Sequence, residues 1–142
     1  MDADTYPALA VVPEDECWDL LRARRVGRLA LRLGSRPHIF PINYLVAGKS
    51  IVFRTDGGTK LAGVLGGGPV AFEIDETDRT LESGWSVVVE GRAREVLEQK
   101  ELERLQQSPL RPWVPGRKAH FVRIEAESVT GRRIVQVLPA EG

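Results

Sequence analysis

The chain has 142 residues, 42% apolar and 28% charged, which is the size and composition of one folded globular domain rather than of a disordered or fibrous protein. Its 20 basic and 20 acidic residues give a formal net charge of zero, which argues against a nucleic-acid partner because such binding needs an excess of cations. A single cysteine and two distant histidines exclude an internal disulfide and a zinc site of the usual spacing.

The sequence also lacks the signals of membrane insertion or export. Its apolar runs are shorter than a membrane span, and its N-terminus is acidic, unlike a signal peptide. We therefore expect a cytoplasmic protein with no membrane partner. No repeat or linker divides the chain, so we predict one domain over residues 13–138, with a loose segment at 1–12 and a tail at 139–142.

The first predicted element is a helix that begins after Pro13. Acidic residues fill its first turn, and Cys17, Leu20 and Leu21 recur at helical spacing until Gly27. Cys17 is therefore interpreted as a small core residue.

Charge is unevenly distributed around this helix. Residues 1–20 hold six acids and no base, whereas residues 21–40 hold six arginines and no acid. The pattern indicates either an acidic N-terminus that folds over its basic neighbour or a patch that binds a partner.

The remaining elements are mostly strands. Alternating apolar and polar residues between turn signals predict six or seven of them, at 26–33, 38–46, 50–55, 69–75, 85–96, 120–126 and 133–138. Short helices are predicted at 59–65 and 97–107. Hairpin-length connections favour a mainly antiparallel β-barrel with the helices packed outside it. Pro41 cannot donate to a strand ladder, so its strand should be an edge or carry a bulge.

The most informative stretch runs from Phe53 to Leu61. A strand ends at Thr55, two glycines turn the backbone, and a helix begins near Thr59, which is a competent N-cap. Unpaired amides at the helix start, together with the cations Arg54 and Lys60, predict a site for a phosphate group. The alternative is a loop with an ordinary helix cap and solvated bases.

A neighbouring strand supplies a second set of candidate ligand contacts. If residues 38–55 form a hairpin, Pro41 to Tyr44 lie beside Phe53 to Thr55, where Asn43 offers a donor and an acceptor and Tyr44 and Phe53 offer ring faces. Such a set suits a flat heterocycle that ends in phosphate.

Two tryptophans are further candidates. Trp85 could cover the heterocycle or seal a core, and Trp113, in a proline-rich loop, could cap the pocket or pack over a strand edge.

Other polar residues give weaker signals. His38 and His120 have no carboxylate at helical spacing and are interpreted as surface or structural histidines. Glu73 and Asp75 share a strand face without forming a glycosidase-like arrangement.

Taken together, these stretches resemble the pyridoxamine 5′-phosphate oxidase-like, FMN-binding split-barrel proteins, in particular their small single-domain actinobacterial branch. The resemblance runs from about Glu14 to Leu138 and rests on the order and spacing of several segments rather than on one motif. These segments are Gly27-Arg28-Leu29-Ala30, Pro41-Ile42-Asn43-Tyr44, Phe53-Arg54-Thr55 with Gly58-Thr59-Lys60-Leu61, residues 69–75, Gly84-Trp85-Ser86-Val87-Val88-Val89 with Gly91, and Phe121-Val122-Arg123-Ile124 leading to residues 130–133.

The resemblance implies a six-stranded antiparallel split β-barrel that forms a homodimer with two FMN molecules at its interface. It assigns the FMN phosphate and ribityl chain to Arg54, Thr55, Thr59 and Lys60. It further assigns the isoalloxazine to the segment Pro41, Ile42, Asn43 and Tyr44, and contact with the other subunit's flavin to Trp85 and Ser86.

The leading hypothesis is therefore an FMN-dependent oxidoreductase that acts on an unidentified small substrate, with no catalytic residue assigned. The chain ends without the arginine–x–histidine element of authentic pyridoxamine phosphate oxidases, so oxidation of that vitamin is not expected. The alternatives are a deazaflavin-dependent reductase, a non-catalytic flavin-binding module, and a barrel that binds another phosphate ligand or a partner protein.

Overall fold

Eight antiparallel strands and three short helices are seen in a computed structural model of the chain, which describes residues 4–66, 68–80, 82–110 and 120–140. The elements in chain order are β1 (Tyr6–Val12), α1 (Glu14–Arg22), β2 (Val26–Leu33), β3 (Arg36–Asn43), β4 (Leu45–Val46), β5 (Ser50–Thr55), α2 (Thr59–Val64), β6 (Val70–Thr77), β7 (Gly84–Glu95), α3 (Gln99–Gln106) and β8 (His120–Val137). Within those ranges no helix is long and apolar enough to span a membrane.

The strand order forces the sheet to curl into a barrel. The order is β3-β2-β6-β7-β8-β5-β4, with β1 paired to β8 beside this path. β3 and β4 lie at opposite ends of the order, yet Tyr44 alone links them, and a link of that length spans only about 7 Å. The two edges therefore meet, and Cα atoms of β3 and β5 lie within 8 Å of each other. No ladder joins these two strands in the described residues. We call this opening between β3 and β5 the split of the barrel.

The longest strand, β8, organises the rest of the sheet. On one side it pairs with β7 along most of its length, and on the other it pairs first with β5 and then with β1. A bulge in the β7–β8 ladder lies between Glu90 and Gly91. A Cβ atom at Gly91 would lie 1.9 Å from the carbonyl oxygen of Glu125, so only glycine allows the two backbones to approach this closely.

The structure confirms the mainly antiparallel β class but corrects the strand count. The predicted strand at 38–46 is divided at Tyr44 into β3 and β4, and the strands predicted at 120–126 and 133–138 are one continuous strand. Residues 6–12 of the segment expected to be loose form β1, which pairs with the end of β8. The sequence of residues 6–12 shows no clear strand pattern because its apolar residues Leu9 and Val11 are about 70% exposed. Pairing with β8, rather than burial of these side chains, therefore holds β1 in place.

The predicted hairpin over 38–55 forms only in part. Leu45 and Val46 pair with β5 around the turn at 47–50, but Pro41 pairs with Arg28 of β2 instead of with β5. β3 has a partner on one side only, and the expectation that Pro41 lies in an edge strand is confirmed.

Two apolar clusters hold the fold together. The larger fills the barrel and takes Cys17, Trp18 and Leu21 from α1, so the interpretation of Cys17 as a core residue is confirmed. The smaller lies outside the barrel wall, under α3 and the residues that follow it, and consists of Val52, Val96, Leu105, Leu110 and Phe121. α3 itself contributes only Leu105 among its buried residues, so it needs additional contacts to stay on the wall.

Those contacts come from a partly desolvated ion pair. Arg123 of β8 pairs with Glu101 of α3, and their side chains are only 16% and 13% exposed. The same guanidinium donates a 2.5 Å hydrogen bond to the hydroxyl of Ser50. The network therefore ties α3 to two strands of the wall, and removal of either charge leaves the other in a poorly solvated place.

We predict that Glu101→Ala lowers the free energy of unfolding by about 3 kcal/mol, because it leaves Arg123 without its carboxylate. Chemical denaturation followed by circular dichroism would measure this. Glu103→Ala is the matched control, since Glu103 is exposed on the same helix and accepts a hydrogen bond from Gln99, its one side-chain partner among the described residues. It should change stability by less than about 0.5 kcal/mol. Equal effects of the two substitutions would contradict the role of the ion pair.

Candidate functional site

The predicted phosphate-binding segment lies where β5 ends beside the start of β8. The guanidinium of Arg54 lies over the ring of Phe121, with 4.9 Å between its central carbon and the ring centroid. Thr55 is only 2% exposed, so its side chain offers little surface to a ligand. Arg54 is therefore the group of this strand end that remains partly exposed on the outer face of the barrel.

The turn that follows differs in one detail from the prediction. Gly58 is the N-cap of α2, and Thr59 and Lys60 are its first two residues, so the N-cap role predicted for Thr59 is wrong. α2 has only six residues, and a helix this short contributes a small dipole. An anion bound here would thus depend mainly on side-chain charges such as that of Arg54 rather than on the helix itself. The side chains of Thr59 and Lys60 lie outside the described part of the structure.

His120 borders the same turn, although the sequence gave no reason to place it there. A Cβ atom at Gly57 would lie 3.0 Å from its Nε2 atom, and its Nδ1 atom lies 2.8 Å from Oε2 of Glu95. Because the carboxylate accepts, Nδ1 carries the hydrogen in this pair. The absence of a side chain at Gly57 leaves room for the imidazole. This contact agrees with the interpretation of His120 as a surface or structural histidine. Its carboxylate partner comes from the neighbouring strand rather than from helical spacing.

The end of β3 separates the predicted ring-binding residues into two groups. Pro41 is exposed and Asn43 half-buried on the outer face, whereas Ile42 and Tyr44 are 2% and 4% exposed in the core. Phe53 is fully buried as well. The expectation that Tyr44 and Phe53 offer their ring faces to a ligand is therefore wrong, because both rings fill the barrel.

Tyr44 has a structural task in the core. Its hydroxyl donates a 2.6 Å hydrogen bond to the carbonyl of Leu21, and its ring meets that of Phe72 edge-on at 4.7 Å. Burial raises the pKa of Tyr44 well above its ordinary value. Tyr44 thus fixes the end of α1 against the barrel and stays protonated.

Two cavities open beside these residues on the outside of the barrel. The larger, of about 520 Å³, is lined by Asn43 to Val46 on one side and by Arg22, Arg24 and Arg25 on another. The smaller, of about 220 Å³, is lined by Arg28, Pro41 and Asp75 among others. Val26 lines both, so the two cavities are neighbours at the end of the β2–β3 hairpin.

A cluster of three charged side chains, Arg28, Glu73 and Asp75, lies at the smaller cavity, which Arg28 and Asp75 line. Arg28 donates from Nη1 to Glu73 at 3.2 Å and to Asp75 at 3.3 Å. Burial, together with a hydrogen bond and repulsion from Asp75, raises the pKa of Glu73 to about 7, while Arg28 opposes the shift. Glu73 therefore exchanges a proton near neutral pH, a property that its place in the sequence does not reveal.

Trp85 and Ser86 lie at the start of β7. Trp85 is half-buried and lies 5.1 Å beneath the guanidinium of Arg24, which also pairs with Glu76. Ser86 lies opposite Asp75 in the β6–β7 ladder. Trp113 lies outside the described residues.

Along β8, Trp85 and Ser86 lie far from the segment around Arg54. Trp85 pairs with Arg133 of β8, and Thr55 pairs with His120, thirteen positions away along the same strand. That separation corresponds to roughly 40 Å of extended strand. Trp85 and Arg54 therefore lie beside opposite ends of β8, whereas Asn43 lines the same cavity as Arg24, whose guanidinium lies over Trp85.

Comparison with known proteins gives consistent results. The family described as "Pyridoxamine 5′-phosphate oxidase" matches residues 13–133. An uncharacterized protein of Mycobacterium tuberculosis is 37% identical over 126 residues, which cover 85% of this chain and 82% of that protein.

Two solved structures are similar along nearly their whole length. The FAD-binding protein of Mycobacterium smegmatis has a TM-score of 0.73 and 38% identity, covering 87% of this chain and 97% of its own. A FAD-binding protein of Mesorhizobium loti has a TM-score of 0.72 and 26% identity, with 88% and 97% covered. The resemblance read from the sequence is confirmed at the level of family and fold.

We predict a pH-dependent contribution of Glu73 to stability. Its raised pKa means that the folded state binds a proton more tightly than the unfolded chain, so this contribution is present at low pH and is lost as the pH rises through about 7. The stability of the wild type relative to Glu73→Gln should therefore fall between about pH 5 and pH 8. Urea unfolding of both proteins across this range would measure it, and a constant difference would contradict the assignment.

Proposed function

Because the chain belongs to the pyridoxamine 5′-phosphate oxidase family, we propose that it is a flavin-dependent oxidoreductase that uses FMN and acts on a small-molecule substrate. The names of the Mycobacterium smegmatis and Mesorhizobium loti proteins support a flavin cofactor. The observation that carries the proposal is the position of Arg54 and of the outer end of β3, which flank the split of the barrel. A cytoplasmic location stays a prediction from the sequence.

The residues beside the split fit a flavin that ends in phosphate. Arg54 and Lys60 supply the positive charge that a phosphate needs, and the only acid of the turn, Asp56, is exposed to solvent, which weakens its repulsion. Pro41 and Asn43 would line the ring through the outer face of an edge strand. When bound, the flavin supplies the electron and hydride transfer, so this chain needs no acid–base pair of its own for that step.

FAD is the second candidate cofactor, because the similar structure with 38% identity is named as a FAD-binding protein. A deazaflavin remains the alternative taken from the sequence. Titration of the purified protein with FMN, FAD and a deazaflavin would rank them. Anaerobic bleaching of the flavin by NADH or NADPH would separate an oxidoreductase from a non-catalytic flavin-binding module. A protein that ignores all three cofactors would contradict the proposal.

We further propose that the flavin sites are shared between two copies of the chain. In one chain Trp85 and Arg54 lie beside opposite ends of β8, so a Trp85 supplied by a partner would complete the site around Arg54. Exposed apolar residues support such a partner, since Leu9, Val11 and Ile39 are each about 70% exposed on edge strands. The zero net charge removes long-range repulsion between copies.

Arg54→Ala combined with Lys60→Ala should weaken FMN binding by about 3–6 kcal/mol, because each charge-assisted hydrogen bond to phosphate contributes about 1.5–3 kcal/mol. Quenching of flavin fluorescence during titration would measure the affinity. The double substitution Arg36→Ala with Lys100→Ala removes the same charge elsewhere on the surface and should leave the affinity unchanged. Equal affinities of the two double variants would refute the phosphate site.

Shared sites predict complementation between two defective chains. Arg54→Ala and Trp85→Ala variants should each bind flavin poorly as pure dimers. Mixing after mild unfolding should restore one of the two sites in each mixed dimer, which is about one quarter of all sites when chains pair at random. Flavin retained on gel filtration, with light scattering for the mass, would measure this. A flavin-loaded monomer, or full binding by Trp85→Ala alone, would contradict shared sites.

A further inference from the structure

We propose that the 520 Å³ cavity beside Asn43 binds an organic anion, a carboxylate or phosphate ester with a small apolar body, and that Arg25 recognises its charge. This inference names the substrate class of the proposed oxidoreductase. Only the assignment of the anion as a substrate rests on the proposed function. The binding of the anion itself follows from the residues of the cavity.

The charged residues that line the cavity are basic, although the chain as a whole is neutral. In the part of the chain that the structure describes, three arginines line it and no acidic residue does. Arg22 bonds to Asp19 at 3.0 Å and Arg24 pairs with Glu76, but neither of these carboxylates faces the cavity. The third arginine, Arg25, is exposed, and its guanidinium has no hydrogen-bond or ion-pair partner among the described residues. All five of its N–H donors are therefore available to a ligand.

The backbone that carries these arginines is held in place before any ligand arrives. The amide of Tyr44 donates a 3.0 Å hydrogen bond to the carbonyl of Arg25. The hydroxyl of Tyr44 donates a second hydrogen bond, to the carbonyl of Leu21. Tyr44 is itself buried, so the turn from α1 to β2 is attached at both ends to the core. Pre-ordering of this kind reduces the entropy that binding would otherwise cost.

The remaining walls of the cavity are apolar. They are formed by Val26, Leu45, Val46, Pro109 and Leu110. An inorganic ion would leave this surface uncovered, whereas an organic anion places its body against the apolar wall and its charge against Arg25. The cavity also contains Asn43 at the outer end of β3, next to the split where the flavin ring is proposed to lie. An anion held by Arg25 would therefore lie beside the ring, where a substrate must be.

Isothermal titration of the flavin-loaded protein with benzoate, phenyl phosphate and the neutral isostere benzamide tests the proposal. At least one of the two anions should bind about tenfold or more tightly than benzamide, and more weakly as salt is added. Arg25→Gln should remove this preference. Arg36→Gln is the matched control, since Arg36 lies at the other end of β3 and loses the same charge, and it should keep the preference.

Equal binding of benzoate, phenyl phosphate and benzamide, or an anion preference that survives Arg25→Gln, would overturn the proposal. Anion binding to the flavin-free protein that flavin abolishes would assign the cavity to the cofactor and would also overturn it. Flavin titration of the same samples keeps the two hypotheses apart. Arg25→Gln should bind FMN as the wild type does. Failure of the wild type to bind any flavin would remove the proposed function. The anion site would then be judged only by the preference for the anions over benzamide.

Discussion

The short link between β3 and β4 is the constraint on which the rest of the structure depends. Because Tyr44 alone joins strands from opposite ends of the sheet order, the sheet must close on itself, and the closure is left as a split between β3 and β5. Tyr44 then enters the core and anchors the turn from α1 to β2. The same residue thus shapes the split, where the flavin is proposed to bind, and positions the arginines beside it.

The polar chemistry of the protein lies on the outside of the barrel wall. The interior is filled by apolar side chains, whereas Arg54, Arg25 and the cluster of Arg28 with Glu73 lie on the outer faces of strands or in turns. Outer faces are where a second copy of the chain could add its own residues to a ligand site. A rigid apolar barrel with charged groups around its split is consistent with a cofactor that performs the reaction while the protein supplies binding and orientation.

Several site features could be predicted, and others could not, for identifiable reasons. The turn after Thr55, the cations Arg54 and Lys60, and the edge position of Pro41 follow from local rules about glycine, charge and proline. The pairing of His120 with Glu95 and the proton affinity of Glu73 depend on which strands become neighbours. Neighbouring strands can be far apart in the sequence, so no spacing within the chain signals these contacts.

The sequence by itself determined the class of fold, the order of nearly all elements and the cationic stretch from Arg54 to Lys60, because these depend on short-range periodicity and on residue type. The order and spacing of several segments carried the resemblance to the family. Only the tertiary structure decided which face of each strand is inside. It turned the rings of Tyr44 and Phe53 into the barrel, joined Arg22, Arg24 and Arg25 around one cavity, and separated Trp85 from Arg54 along β8. β3 and β5 carry apolar residues on both faces, so their own patterns leave the buried face open and only the closure of the sheet selects it.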